Sequence, residues 1–169
     1  MDITQLILDQ HHEQRHLFAL IDELTADDRD ALKAIWKRLR GLLDAHAEAE
    51  ERFFYPELLK VGRGADGDSP AGETRDAIND HNEIRDTAAD VDLEQLGSAK
   101  WFAAVAAVNK ANGDHMAEEE RQGLADFRRH ADLATRHRLG IEFARFMAEH
   151  VTGVAPVDVN PDAYILQNL

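Results

Sequence analysis

The sequence predicts an all-α fold: an up-down-up-down four-helix bundle with an additional C-terminal helix and an extended tail. Apolar residues recur at helical spacing in long segments, and no segment shows the alternation expected of a strand. One pattern of histidines and glutamates also occurs twice, which indicates a duplicated helical hairpin. The length of 169 residues suits a single domain. We assign residues 1–150 to the bundle with its covering helix and residues 151–169 to the tail.

Two helices are predicted to form the first hairpin. The first covers residues 3–25, with Asp2 as its N-cap and Gln5 in the position that completes a capping box. The second covers residues 28–60, where leucines recur on one face. Pro56 should kink or end this helix, because proline lacks a backbone N–H and clashes with the preceding turn.

The second hairpin follows a glycine-rich loop. Ser69 precedes a proline, which predicts an N-cap followed by proline at the first helical position and a helix over residues 70–92. A fourth helix is predicted over residues 98–128. A fifth, over residues 132–150, is expected to cover the end of the bundle. The remaining residues contain two prolines and are expected to be extended.

The repeated pattern is a histidine followed, 34 or 35 residues later, by His-x-x-x-Glu-Glu. The two copies are offset by 69 or 70 residues. Imidazole and carboxylate groups bind metals, so their repetition predicts a dinuclear metal site at the centre of a pseudo-twofold bundle. The candidate metal ligands are His11, His46, Glu50, His81, His115 and Glu119.

Helical phase places these candidates in the core. At about 100° per residue, His46 and Glu50 fall within the apolar stripe of the second helix. Glu51 falls outside that stripe, so we expect it to be solvated or to lie just outside the ligand set. His81 lies between apolar residues of its helix, and His11 is nearest to the apolar side of the first helix. A single His-x-x-x-Glu is usually a surface pair, but two copies in buried phase need a neutralising cation.

Five further histidines lie outside the predicted site. His12 and His16 project from the opposite face of the first helix, beside charged neighbours, and are expected to be solvated. His130, His137 and His150 lie outside the repeat and are expected at the surface or at an interface.

The ligand types narrow the choice of metal. Four imidazoles and two carboxylates without any cysteine suit iron or manganese, and they can also hold zinc. Six protein ligands are too many for one open metal, but they suit two metals that share a carboxylate and bridging solvent oxygens. A ferritin-type site would need Glu-x-x-His on two helices, and only Glu13 with His16 has that spacing.

The order of these residues resembles the hemerythrin-like, HHE cation-binding domain. The segments LILDQH at 6–11 and HAEAEERFFYP at 46–56 are similar to the usual wording of that family, and the likeness covers about residues 3–125. The resemblance implies two iron ions joined by an oxo or hydroxo bridge. Glu50 and Glu119 would be carboxylate ligands, at least one of them bridging. The resemblance extends to actinobacterial hemerythrin-like proteins, which are linked to oxidative and nitrosative stress.

The chain differs from the oxygen-carrying members of that family in two positions. Arg85 stands one turn after His81, where those proteins have a further histidine, and Glu119 stands where they have aspartate at a longer spacing. These differences argue against reversible oxygen carriage. They favour redox chemistry with peroxide, dioxygen or nitric oxide, including catalase- or peroxidase-like turnover. We expect Arg85 to support the site by reaching Glu50, Glu119 or a bound anion.

Composition excludes several classes of partner. The net charge of −14 repels phosphate backbones and anionic lipid, so we expect neither nucleic acid nor a membrane as a partner. The N-terminus lacks the pattern of a signal peptide, which together with the absence of cysteine favours the cytoplasm. The expected partner is a small-molecule ligand. Iron storage or donation, reversible oxygen binding and a structural bundle with an incidental metal remain as alternatives.

Overall fold

The computed structural model describes all 169 residues and contains helices but no strands. The helices in chain order are α1 (Ile3–Asp22), α2 (Arg29–Ala49), a π-helical turn (Glu50–Phe54), α3 (Tyr55–Val61), α4 (Pro70–Leu93), α5 (Ala99–Arg121), α6 (Gly123–His130), α7 (Leu133–Glu149) and α8 (Pro161–Asn168).

Helices α1, α2, α4 and α5 form the predicted four-helix bundle. Within each hairpin, α1 packs against α2 and α4 packs against α5. Contacts of α1 with α5 and of α2 with α4 close the bundle. Helix α7 lies against α1 and α2 as a covering helix, and α8 lies against α3 and α4. None of these helices combines the length and the apolar character that crossing a membrane requires.

Side-chain caps fix the helix starts that the sequence predicted. Asp2 accepts a hydrogen bond from the backbone N–H of Thr4, and Ser69 accepts one from Gly72. Ser98 caps α5 in the same way. Each cap satisfies a backbone donor that the first turn of a helix leaves without a partner.

The predicted interruption near Pro56 takes the form of a π-helical turn. The helix that starts at Arg29 passes through the π-helical turn and resumes as α3, with Pro56 in its first turn. The backbone N–H of Tyr55 donates to the carbonyl of Glu50, five residues earlier. A π turn of this kind often occurs at a functional site, and this one starts at a predicted ligand.

Two predictions of local structure are wrong. The fourth helix does not continue to residue 128, because Gln122 has a non-helical backbone and separates α5 from α6. The tail is non-helical only over residues 151–160, and α8 follows where the sequence predicted extended chain. Asn160 caps α8 and Pro161 occupies its first turn, where proline favours a helix start rather than breaking the helix.

The hydrophobic core consists of two clusters with a polar layer between them. In α1, Ile7 belongs to the first cluster and Phe18 to the second, and His11 lies between them. In α4, Ile78 and Ile84 flank His81 in the same way. The predicted ligands therefore occupy one level of the bundle, enclosed by apolar packing on both sides.

Candidate metal centre

The structure brings all six predicted ligands together in the polar layer. Each of these side chains is buried, and none belongs to a residue more than 5% exposed. Helix α1 carries one of them, α2 one, the π-helical turn one, α4 one and α5 two. In that order they are His11, His46, Glu50, His81, His115 and Glu119.

A first group joins α1 to α2. His46 Nε2 lies 2.9 Å from Glu50 Oε1, and His11 Nε2 lies 4.0 Å from the same oxygen. Ligand-type atoms of these three residues all lie within 4.8 Å of one another. His46 and Glu50 approach closely without hydrogen-bond geometry. Donors that converge without bonding to one another have the arrangement of ligands around an ion.

A second group joins the same glutamate to the other hairpin. His81 Nε2 lies 3.2 Å from Glu50 Oε2 and 3.2 Å from His115 Nε2. Ligand-type atoms of Glu50, His81 and His115 again lie within 4.8 Å of one another. Glu50 thus presents one carboxylate oxygen to each group.

Glu119 has a different environment from Glu50. Its Oε2 lies 3.3 Å from His11 Nε2, and its Oε1 accepts a 2.6 Å hydrogen bond from the Tyr55 hydroxyl. Burial, reinforced by the negative charges of Glu119 and Glu50, raises the pKa of Tyr55 well above its usual value. The tyrosine therefore stays protonated and holds one Glu119 oxygen, which leaves the other facing His11.

The unpaired polar atoms of the protein concentrate in this layer. Nine buried side-chain nitrogen or oxygen atoms lack a hydrogen-bond partner, and five of them belong to the predicted ligands. These five are His11 Nε2, His46 Nε2, both oxygens of Glu50, and Glu119 Oε2. Buried polar atoms are costly when unpaired. Cations bound by these nitrogen and oxygen donors would satisfy all five, so the residues fit a metal centre.

The other ring nitrogen of each histidine faces an acceptor outside the cluster. His46 Nδ1 lies 2.7 Å from Gln10 Oε1, and His115 Nδ1 lies 3.4 Å from Asp80 Oδ2. Gln10 and Asp80 immediately precede the lone histidines of the repeat. An acceptor at Nδ1 fixes the ring orientation and leaves the Nε2 lone pair available to a metal.

The lone histidines obtain their acceptors from the opposite half of the repeat. His11 Nδ1 lies 3.0 Å from Glu120 Oε1, and His81 Nδ1 lies 2.8 Å from Glu51 Oε1. These acceptors are the second glutamates of the His-x-x-x-Glu-Glu motifs. The doubled glutamate therefore has two uses in the structure: the first residue lies within the cluster and the second orients a histidine across the bundle.

An arginine one turn after each lone histidine completes the arrangement. Arg15 donates to Glu120 Oε1 at 2.8 Å, and Arg85 donates to Glu51 Oε1 at 2.7 Å. The first pair is partly exposed and the second is buried. Arg85 was predicted to support the site, but Arg15 and the two glutamate partners were not. The signal was present, because the His-x-x-x-Arg spacing recurs at His11 and His81 together with the doubled glutamate.

Two expectations about the surroundings of the cluster need correction. Of the two alternatives predicted for Glu51, solvation is wrong: the residue is only 7% exposed, because it lies in the π-helical turn, where a phase of 100° per residue does not apply. Its contact with His81 Nδ1 fits the other alternative, a position just outside the ligand set. Arg85 does not reach Glu50 or Glu119. Its guanidinium donates to Glu51 and to Asn82 Oδ1, so it supports the site through the orienting carboxylate.

Protons occupy the cluster when no metal is bound. Burial alone would lower the pKa of His11, but contacts with Glu119 and Glu120 outweigh it and raise this pKa to about 9. Contacts with Glu50 and Glu51 likewise overcome burial and raise the pKa of His81 to about 9. A metal that binds these nitrogens must displace their protons, so metal binding is coupled to proton release.

The other histidines lie away from the cluster. His12 and His16 are exposed, as predicted from their helical phase. His130 and His137 are exposed as well, although His130 Nδ1 contacts the buried Asp126 carboxylate at 2.6 Å. His150 is partly exposed at the end of α7, where its ring bonds to a backbone carbonyl.

The helical bundle and its layer of convergent imidazoles and carboxylates define an all-α metal-binding protein. The chain belongs to the hemerythrin family: the profile of the hemerythrin HHE cation binding domain matches residues 2–125. Neither a curated protein nor a solved structure matches the chain. The family assignment confirms the resemblance noted in the sequence, and the matched segment contains all six residues of the cluster.

Proposed function

We propose that the protein holds two iron ions and uses them to bind and reduce a small oxygen-derived molecule, namely peroxide, dioxygen or nitric oxide. The observation that carries this proposal is the position of Glu50, whose two oxygens face different histidine pairs. The proposed ligands are the six residues predicted from the sequence, with Glu50 bridging and Glu119 bound on the His11 side. Two adjacent irons would supply electrons to the bound molecule one at a time.

The surroundings of the cluster support this function. The orienting acceptors keep the imidazole Nε2 atoms directed inward, and apolar clusters on both sides exclude bulk water. Tyr55 holds a proton at its hydroxyl, next to Glu119. The cavity that reaches His115 and Glu119 has a volume of about 10 Å³. A space of this size is about the minimum that one water molecule occupies, so only a very small ligand can approach the cluster by this route.

Iron storage or donation is less well supported. A store or donor must release its metal readily, whereas all six proposed ligands are buried. We expect iron to remain bound during exposure to a mild chelator, and we expect peroxide to be consumed while the iron is retained. Rapid loss of iron without peroxide consumption would favour storage instead.

Metal counting tests the proposed centre directly. Anaerobic loading with Fe²⁺ followed by iron analysis should give two irons per chain, and the oxidised protein should show charge-transfer absorption in the near ultraviolet. Glu50→Gln should lose most of both irons, because the shared carboxylate contributes to both groups. Glu48→Gln is the matched control, since Glu48 pairs with Arg52 near the surface. A single iron per chain, or equal iron content in the two variants, would refute the bridging role.

A further inference from the structure

A narrow cavity leads from the surface to the metal centre between α4 and α5. Its inner end is lined by His115 and Glu119, and most of its remaining polar lining is acidic. We call these acidic residues the acidic vestibule: Glu73, Asp76, Asp80 and Glu118.

The vestibule residues differ in their exposure to solvent. Asp76 and Glu118 are exposed, and Asp80 is partly exposed. Glu73 is only 4% exposed. On α4, spacings of three and four residues place Glu73, Asp76 and Asp80 on one helical face. Asp80 is at the inner end, because its Oδ2 lies 3.4 Å from His115 Nδ1.

None of these carboxylates forms an ion pair with a lysine or an arginine, and Asp80 alone has a histidine as its partner. Arg75 is adjacent to Asp76 but pairs with Asp162 instead. The Glu73 Oε1 atom accepts a hydrogen bond from the Ala65 backbone N–H. Glu73 Oε2 is buried and has no partner at all. A buried carboxylate oxygen without a donor, in the wall of a cavity, requires a ligand that brings positive charge or a proton.

The carboxylates of the vestibule are crowded together and partly withdrawn from water. Burial, reinforced by the charges of Asp126 and Asp68, raises the pKa of Glu73 to about 7. Burial also raises the pKa of Asp76, with further contributions from Asp68 and Asp80. The negative charges repel one another in the narrow space, and a divalent cation would relieve that repulsion.

We propose that the acidic vestibule binds a divalent metal ion transiently and passes it to His115 and Glu119, so that it is the path by which metal reaches the centre. This inference rests on the proposed metal centre. Carboxylate oxygens are suitable ligands for a divalent ion. A cleft lined by one sign of charge also raises the local concentration of its counter-ion and the rate of its association.

Kinetics of Co²⁺ uptake by the metal-free protein test the path without any assay of activity. The test variant is Glu73→Gln/Asp76→Asn/Glu118→Gln, which removes three negative charges. Glutamine at position 73 retains an oxygen that can accept the Ala65 N–H. Asp80 is left unchanged, because it contacts His115 and its replacement would alter the centre itself. Stopped-flow absorption of bound Co²⁺ gives the rate, and titration gives the final stoichiometry.

The control variant is Asp22→Asn/Glu23→Gln/Asp27→Asn, which makes the same change in net charge with exposed residues. These residues follow Ile21 at the opposite end of the bundle, where the second apolar cluster lies. Circular dichroism of both variants checks that each is folded. Any effect of overall charge is then common to the two variants.

We expect the vestibule variant to take up Co²⁺ more slowly by on the order of tenfold at low ionic strength, with the final stoichiometry of the wild-type protein. The difference should shrink in about 0.5 M salt, because screening weakens the attraction. Equal uptake rates for wild-type and vestibule variants, or equal slowing in both variants, would overturn the proposal. So would a lower final stoichiometry with an unchanged rate, which would make these residues ligands. A wild-type chain that binds no Co²⁺ would overturn the metal centre as well.

Discussion

Glu51 and Glu120 occupy equivalent positions in the repeat, yet their replacement should have very different effects on stability. Glu51→Ala removes the partner of both Arg85 and His81, and the Arg85 side chain is buried. Removing one partner of a buried ion pair costs about 3–5 kcal/mol, because the remaining charge loses its compensation. For a protein of this size the expected fall in melting temperature is roughly 6–20 °C.

Glu120→Ala should cost much less. The Arg15 side chain is 41% exposed and that of Glu120 is 30% exposed, so the arginine can turn to water. His11 Nδ1 loses its acceptor, but a water molecule can enter the space that the glutamate leaves. The expected loss of unfolding free energy is about 1 kcal/mol, the net value of a typical hydrogen bond.

Urea unfolding of the metal-free variants at neutral pH measures both losses. The double variant Glu51→Ala/Arg85→Met should recover part of the stability that Glu51→Ala loses, because it removes the unpaired guanidinium. Metal affinity should fall in both single variants by roughly 10–100-fold, since each loses the group that orients a proposed ligand. Equal losses of stability in Glu51→Ala and Glu120→Ala, with no recovery in the double variant, would refute the buried pair.

Three further outcomes follow from the site. Elemental analysis should show that His46→Ala loses most bound metal and that His12→Ala does not. Equal loss would show that exposure does not distinguish ligand histidines from the others. The raised pKa values of His11 and His81 stabilise the metal-free protein fully below the unfolded value of about 6.5. That contribution is lost as the pH rises to about 9. Melting temperature should therefore decline across this interval without metal, and a flat profile would contradict the raised pKa values of the two histidines. Tyr164→Phe removes the hydroxyl that donates to a backbone carbonyl of the π-helical turn. It should lower the melting temperature by roughly 2–4 °C and accelerate iron loss to a chelator; unchanged iron retention would show that this contact does not support the centre.

The repeated pattern selected the six residues of the cluster, and helical phase separated them from their exposed neighbours. His46 and Glu50 lie in an apolar stripe, and the structure buries both, whereas His12 and His16 point away and are exposed. Phase predicts burial here because a straight α-helix turns by a constant angle per residue. It fails at Glu51 for the same reason, since the π-helical turn changes that angle.

Other features depended on information that a periodicity argument does not contain. The two prolines of the C-terminal segment suggested extended chain, but Pro161 lies in the first turn of α8. A proline can begin a helix or end one, and tertiary packing decides which of the two occurs. Tyr164 and Ile165 bury α8 against the body of the protein. Each lone histidine is oriented by a glutamate from the opposite half of the repeat. Predicting this pairing would have required knowing which helices face each other.

The same repeat that makes the two halves equivalent also shows where they differ. Tyr55 lies nine residues after His46, and the corresponding position after His115 is Leu124. Only the first half therefore supplies a hydroxyl, and that hydroxyl holds one oxygen of Glu119. Glu50 receives no such bond, so both of its oxygens remain free to face the two histidine pairs. A single residue outside the repeated motif thus distinguishes Glu119, which has one oxygen held, from Glu50, the carboxylate proposed to be shared.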